Sequence, residues 1–388
     1  MSVVNPQTLV YKQVSDHLSV IDVHLDVYPP AFVSVNSTTP SVPTVIYFHG
    51  GGLTVGNRQS WFPTWLCNRT TKAGYAFISA DYQLLPPATG HDIVQDIQDI
   101  LRFVTSREFV SKSNGVEGEL KFWIDSEAIA VAGSSAGGLC AYLAAIHCVS
   151  PKPKAVVSMY GLGGDFFTPH YLSPKTQPFF RGREILDPRD FTEYLHYNHE
   201  PDTNSDPALR KFASLYRIAD SALAYHPQTH HIPGYPANPR MLLPRLYLQL
   251  GVFIDYYTGA HENGGISIPL RNALASKPGS EASDDSLAEF DNLIRTLVPV
   301  QHHDLFPHLA ASRDWPPTVL VHGTEDSAVP IWDSRHLVRR LKALGVDVEL
   351  YEMKGREHSF DYETAAEELF GDVFDRVEAF LRNHIGRK

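Results

Sequence analysis

The feature that most limits the folds open to this chain is Gly133-Ser134-Ser135-Ala136-Gly137, set between an apolar run, Ala128 to Ala132, and a helical run, Ala136 to His147. A strand that turns into a helix within so few residues needs neighbours without bulk, because the backbone is strained and adjacent chains pass close. Gly133, Ala136, Gly137 and Gly138 meet that need. The pattern G-x-S-x-G centres on Ser135; centring it on Ser134 would require glycine at 132 and 136, where alanine stands. Such a turn presents one serine hydroxyl at the end of a strand, so Ser135 is the candidate nucleophile.

Around this turn strands and helices alternate. Leu9 to Val14 and Leu18 to Val27 read as an opening strand pair, and Val42 to Phe48 and Tyr75 to Tyr82 as buried strands. His91 to Val104 places Ile93, Ile97, Ile100 and Leu101 at helical spacing. Lys154 to Tyr160, Thr318 to Val321 and Val346 to Met353 read as further strands, with helices at Ser334 to Leu344 and within Tyr362 to Asn383. This order predicts an α/β fold, a mostly parallel central sheet flanked by helices on both faces. Between Leu162 and Asp314 the alternation stops; the text is rich in proline and aromatic residues, with helical stretches near Asp187 to Tyr197, Ala208 to Tyr225, Arg245 to Tyr257 and Leu287 to Leu297. The expectation is a catalytic domain made of residues 1–161 and 315–388, carrying a helical lid or cap of residues 162–314 over the carboxyl ends of the strands.

Three further stretches carry chemistry. His49-Gly50-Gly51-Gly52 follows a strand, and its glycines let backbone N–H groups approach a developing oxyanion. No G-x-x-x-x-G-K-[ST] or G-x-G-x-x-G accompanies it, which argues against a phosphate cradle. A serine needs a histidine to take its proton and a carboxylate to orient that histidine. His322-Gly323-Thr324-Glu325-Asp326 ends one strand, and Gly355-Arg356-Glu357-His358 lies in the loop after the next. His336 falls within a helix and His384 near the end of the chain, which leaves His358 as the candidate base. Glu325 and Asp326 leave the strand in opposite directions, and Asp326 is the favoured acid with Glu325 its rival.

The segments HGGG, DYQLLP (Asp81 to Pro86), GSSAGG, HGTEDSAVP and GREHSF together resemble the hormone-sensitive-lipase-type carboxylesterases of the α/β-hydrolase fold. The resemblance covers Val42 to Tyr160 and Pro317 onward, and implies Ser135, Asp326 and His358 as triad, with the N–H groups of Gly51, Gly52 and Ala136 as oxyanion hole. Ser134 stands where the family often has Asp, Gln83 where it has Arg and Pro87 where it has Glu; these positions support the turn rather than react, and Asp81 is likewise read as structural. The chain departs most in the insertion. Ser135 and Asp326 are 191 positions apart, but Asp326 and His358 only 32. Its aromatics, including Phe166, Phe167, Tyr171, Phe179, Phe180, Tyr256 and Tyr257, either line an acyl pocket or form the insertion's own core, the second being the plainer reading for most.

Composition excludes other classes. With 33 Lys plus Arg against 44 Asp plus Glu, a formal charge of −11 and no basic block, nucleic acid is not an expected partner. Cys67, Cys140 and Cys148 form no C-x-x-C pair and read as reduced core thiols. His230-His231 and His302-His303 sit in loops without a carboxylate at helical spacing, so neither a metal nor another cofactor is expected. No apolar run approaches the roughly 18 residues of a membrane span, and the N-terminal stretch lacks a basic segment followed by an apolar one, which points to a cytoplasmic protein acting on a small-molecule acyl substrate. Ester hydrolysis through an acyl-serine leads. The same triad acting on an amide, formamide or thioester, or passing the acyl group to another acceptor in a biosynthetic pathway, is the alternative. A receptor that kept the pocket but lost the reaction ranks below both, because all three triad candidates are present.

Overall fold

A computed structural model of the chain describes residues 6–15, 20–31, 40–112, 119–195, 239–277 and 284–386. Among them nine strands form one sheet in the order β1-β2-β4-β3-β6-β7-β8-β9, with β5 beside β6. The strands are β1 (Gln7–Ser15), β2 (Val20–Tyr28), β3 (Ser41–Phe48), β4 (Ala76–Ala80), β5 (Glu108–Lys112), β6 (Glu119–Ser134), β7 (Ala155–Met159), β8 (Thr318–Gly323) and β9 (Val348–Met353). From β4 through β9 the main path is parallel; β1 and β2 form the antiparallel edge, and β5 pairs antiparallel with β6.

Side chains alternate across the sheet, as a pleated strand requires. On β3, Ile46 and Phe48 enter one apolar cluster with helices Gly90–Thr105, Ala136–His147 and Trp332–Ala343, while Val45 and Tyr47 enter another with Thr64–Lys72 and Ala366–Ile385. Gly90–Thr105 buries Ile93, Ile97, Ile100 and Leu101, the stripe legible in the sequence, and the Asp92 carboxylate closes its first turn by accepting from the Thr89 N–H at 2.8 Å. The three cysteines are free and buried, and burial pushes the Cys67 and Cys148 thiols up to about 12.

Between β7 and β8 the described residues hold helices and no strand, including Pro169–Leu172, Leu243–Leu250, Phe253–Thr258, Ser267–Ala273, Asp284–Leu297 and Pro307–Ala310. The helical run over Arg245 to Tyr257 is two helices. Gly251 ends the first at φ +66°, where a Cβ would lie 2.4 Å from the Leu172 carbonyl oxygen. Of the Asp187 to Tyr197 stretch, Pro188–Phe191 forms a 3-10 turn and Thr192–Leu195 one helical turn; Ala208 to Tyr225 and His230-His231 lie outside the described residues. No helix among the described residues is long and apolar enough to cross a membrane.

Candidate active site

Ser135 occupies the single residue between β6 and the helix Ala136–His147, at φ +54° and ψ −121°. The conformation is costly for a residue with a side chain, and its surroundings fix it. The Ser135 N–H donates to the Met159 carbonyl, and its own carbonyl accepts from Gly138 and Leu162, each at 2.9 Å. The glycines are required by contact. A Cβ on Gly133 would stand 2.0 Å from the Gly137 carbonyl oxygen, and one on Gly137 would stand 1.9 Å from that of Phe48.

Ser135 Oγ lies 3.0 Å from His358 Nε2, and His358 Nδ1 lies 2.7 Å from Asp326 Oδ2. The loop after β8 brings Asp326 and the loop after β9 brings His358. Backbone bonds from Thr324 to Met353 and from Glu325 to Arg356, each 3.0 Å, tie the two loops together. Glu325 is solvent-exposed, whereas Asp326 is buried. The other Asp326 oxygen accepts from the N–H groups of Ala328 and Val329 at 2.9 Å. Burial alone would raise this carboxyl, but the electrostatic pull of the neighbouring His358 ring and bonds from His322 and His358 outweigh it and hold it well below the usual carboxylate range. His322 Nε2 sits 2.8 Å from the Val329 carbonyl and 3.3 Å from Asp326, so its ring helps aim the carboxylate. An ionised acid on Nδ1 keeps that nitrogen protonated and leaves Nε2 free to accept the serine proton.

Gly51 and Gly52 adopt φ +107° and +63°, and a Cβ on Gly51 would stand 2.0 Å from the Val55 carbonyl. His49, pushed down to about 4 by burial, stacks on Tyr82 beneath them. Arg240 of the insertion, 1% exposed, reaches into this loop: it donates to the carbonyls of Thr54, Leu85 and Pro86 at 2.7, 2.8 and 2.9 Å, and the Thr54 hydroxyl donates back to its carbonyl. Ala136 is the first residue of the helix after Ser135. Beside the turn, the Ser134 hydroxyl meets Tyr47 Oη at 2.7 Å, while Asp81 is held by Arg58 at 2.8 Å and Gln83 by the buried Asp96, which also pairs with Lys12. These groups brace strand ends, and of them Ser134 alone borders the cleft.

The cleft is about 960 Å³, its open mouth included, and Ser135, His358 and Gly50 to Gly52 form its floor. Its opposite wall comes from the insertion, with Phe180, Leu242, Pro244, Leu248 and Phe253. Of the seven aromatics named from the sequence only Phe180 reaches it; Tyr256 stacks on Tyr247 at 4.1 Å and belongs to the insertion's core. Three arginines, Arg181, Arg183 and Arg245, also line it, and nothing in their sequence context marked them.

His302 and His303 are not simply solvated. His302 Nδ1 meets His91 at 2.9 Å and His303 Nε2 meets the Val298 carbonyl at 2.9 Å. A group missed because its members are far apart in sequence is Asp165, His308 and His336, whose ligand-type atoms lie within 4.8 Å of one another. Its geometry suits a charge network better than a cation. The His308 and His336 rings stack 4.6 Å apart with their planes 10° from parallel, so their lone pairs do not converge, and the Lys277 ammonium already sits 2.6 Å from Asp165.

The sheet order and the strand-turn-helix at Ser135 define an α/β-hydrolase fold. A family model described as alpha/beta hydrolase fold matches residues 45–229, and one for the prolyl oligopeptidase family matches 295–388. The chain is 29% identical over 323 residues to a probable carboxylesterase M8 of Phoma sp., covering 82% of this chain and 79% of that protein. It is 24% identical over 394 residues to the non-reducing polyketide synthase prhL of Penicillium brasilianum, spanning 98% of this chain but only 14% of the synthase. The native Est2 esterase of Thermogutta terrifontis superposes with a TM-score of 0.52 at 16% identity, over 98% of this chain and 92% of the other. The chain has the α/β-hydrolase fold and is a hydrolase, similar to proteins of carboxylesterase type.

Proposed function

We propose that this hydrolase cleaves a carboxylic ester through an acyl-serine intermediate, with Ser135 as nucleophile, His358 as general base and Asp326 as the acid that orients it. The observation that carries the reading is the unbroken relay from Ser135 Oγ to His358 Nε2 at 3.0 Å and from His358 Nδ1 to Asp326 at 2.7 Å, on the floor of a cleft. Ser135 Oγ attacks the carbonyl carbon as its proton passes to His358 Nε2. The N–H groups of Gly51, Gly52 and Ala136 hold the oxyanion. The tetrahedral adduct collapses with loss of the alcohol, which takes the proton from His358. Water, deprotonated by the same nitrogen, then attacks the acyl-serine and releases the acid. Residues 162–314 serve as the lid that admits or rejects acyl and alcohol groups, a reading supported by the cleft wall they supply.

Labelling with a fluorophosphonate probe tests the first step. One equivalent is expected on wild type and none on Ser135→Ala; labelling that persists in the folded Ser135→Ala protein overturns the assignment. A second reading, in which the acyl group arrives as a thioester, is favoured by similarity to polyketide synthases along 98% of this chain. Matched oxygen esters and N-acetylcysteamine thioesters of one acid separate the two, since kcat/KM favours the bond the site was built to break.

A further inference from the structure

We propose that Tyr160 and Asp361 are positioning residues for His358: the Tyr160 ring, polarised by the Asp361 carboxylate behind it, supports from its flank the imidazolium that forms during acyl transfer. This inference rests on the acyl-serine reading above and adds to it a second support for the base, separate from Asp326.

Tyr160 stands one residue past β7 at φ +41°, a conformation that is an outlier for a residue of its size. Such a backbone persists only where its surroundings hold it, and here the Tyr160 N–H donates to the Val321 carbonyl at 2.7 Å. Held so, the phenol ring lies 4.6 Å from the His358 ring, tilted by 60°. The Tyr160 hydroxyl donates to Asp361 Oδ1 at 2.5 Å, and Trp65 Nε1 donates to Asp361 Oδ2 at 3.1 Å. Trp65 is fixed in turn by stacking on Phe374 at 3.9 Å.

Asp361 is buried, and among the described residues no lysine or arginine pairs with it. Burial pushes its carboxyl above the ordinary value, while the bonds from Tyr160 and Trp65 pull the other way. Burial and the Asp361 charge hold the Tyr160 phenol well above 10, so it keeps its proton and donates it. A carboxylate left in the interior with neutral donors alone is costly, and the charge that reaches it is that of His358. A phenol that donates to a carboxylate gains negative character, which strengthens the attraction of its ring for a cation within about 6 Å. The other charged and titratable groups about the pair are Asp326 on Nδ1, Glu357, which accepts the His358 N–H at 2.6 Å, Arg181, which donates to the His358 carbonyl, and the phenols of Tyr47 and Tyr362, which burial keeps protonated. None of them is altered in the variants below.

The intact protein and para-nitrophenyl butyrate, a substrate without a titrating group, test this through kcat/KM measured from about pH 5 to about pH 9. In Tyr160→Phe, which keeps the ring and loses the hydroxyl, the plateau is expected to fall about fivefold and the acid limb to move down by about half a pH unit. The sign follows from the charge: an anion near the imidazolium makes it easier to form, so losing that anion's influence delays protonation to lower pH. Asp361→Asn is expected to do the same, and the double variant to be no worse than either single one, because the two act along one line. An unmoved acid limb in a folded Tyr160→Phe protein overturns the inference even where the rate falls, since a packing defect slows turnover without changing when His358 protonates. Losses that multiply in the double variant overturn it too. If Asp361→Asn does not fold, Tyr160→Phe decides alone, with the melting temperature as its check. A wild type that takes no fluorophosphonate label removes the acyl-serine reading and this inference with it; label on Ser135 with an acid limb indifferent to Tyr160→Phe removes this inference alone.

Discussion

The two walls of the cleft are built differently. On the sheet side, position is set by backbone: Ser135 is fixed by three main-chain hydrogen bonds, and the Asp326 and His358 loops are stitched by two more. On the insertion side, the wall is made of side chains, mostly aromatic, aliphatic or arginine, that project from the helical stretch Leu242 to Phe253 and from the non-helical stretch around Phe180 to Arg183. A backbone-locked group cannot drift by the ångström that would spoil proton transfer, whereas a side-chain wall changes its chemistry by single substitutions. On the mechanism proposed above, the reaction and the choice of substrate reside in different materials, and the two should respond to mutation in different ways.

The largest effect is expected on the sheet side. Ser135→Ala and His358→Ala should each lower kcat about ten-thousand-fold or more while the melting temperature stays near wild type. Near-normal rates in a folded variant would erase the distinction between the walls. On the insertion side, Phe180→Ala should change the ratio of kcat/KM for long over short acyl esters by about tenfold. Tyr256→Ala, which removes a stacked core ring, should instead lower the melting temperature and leave the substrate order alone; a reversal of these two outcomes would mean that the wall has been misread.

A smaller effect concerns Asp333, which accepts from the Gly163 N–H at 2.9 Å and from Tyr171 Oη on the insertion at 2.5 Å. Burial pushes its carboxyl from 3.8 up to about 8, so between those values the folded state holds a proton that the unfolded chain has released. Its contribution to stability is therefore complete below 3.8 and is lost as pH rises through about 8. The melting temperature should fall between about pH 6 and about pH 9 in wild type, and fall less in Asp333→Asn. Parallel profiles would show that the carboxyl is already ionised. The smallest effect belongs to Ser134→Ala, which loses a bond to Tyr47 beside the turn and should cost less than about tenfold in kcat. A loss as large as that of Ser135→Ala would shift the nucleophile by one residue.

The parallel sheet was legible because its strands are short apolar runs and its helices carry one apolar stripe. The β5–β6 hairpin was not, because charged and polar residues are interspersed through Glu108–Lys112 and the start of β6, and only the stacking of Phe109 on Phe122 makes it pay locally. Ser135, Asp326 and His358 could be named because each stands in a short motif, and the fold brings them within hydrogen-bonding distance. The arginines and the Asp165–His308–His336 group had no local pattern to reveal them. Their meeting depends on how the insertion returns to the sheet, which residue spacing does not encode.

The contact of Arg240 with Thr54, Leu85 and Pro86 bears on how proteins of this shape can be recombined. A side chain from the segment between β7 and β8 holds main-chain oxygens of the stretches that follow β3 and β4, so that segment and the sheet are not freely interchangeable. A chimaera that takes its insertion from a relative without an arginine at that place would leave three main-chain oxygens facing a void. Such a graft would lose turnover even with every residue of the relay intact, and restoring one arginine would be the first repair to make.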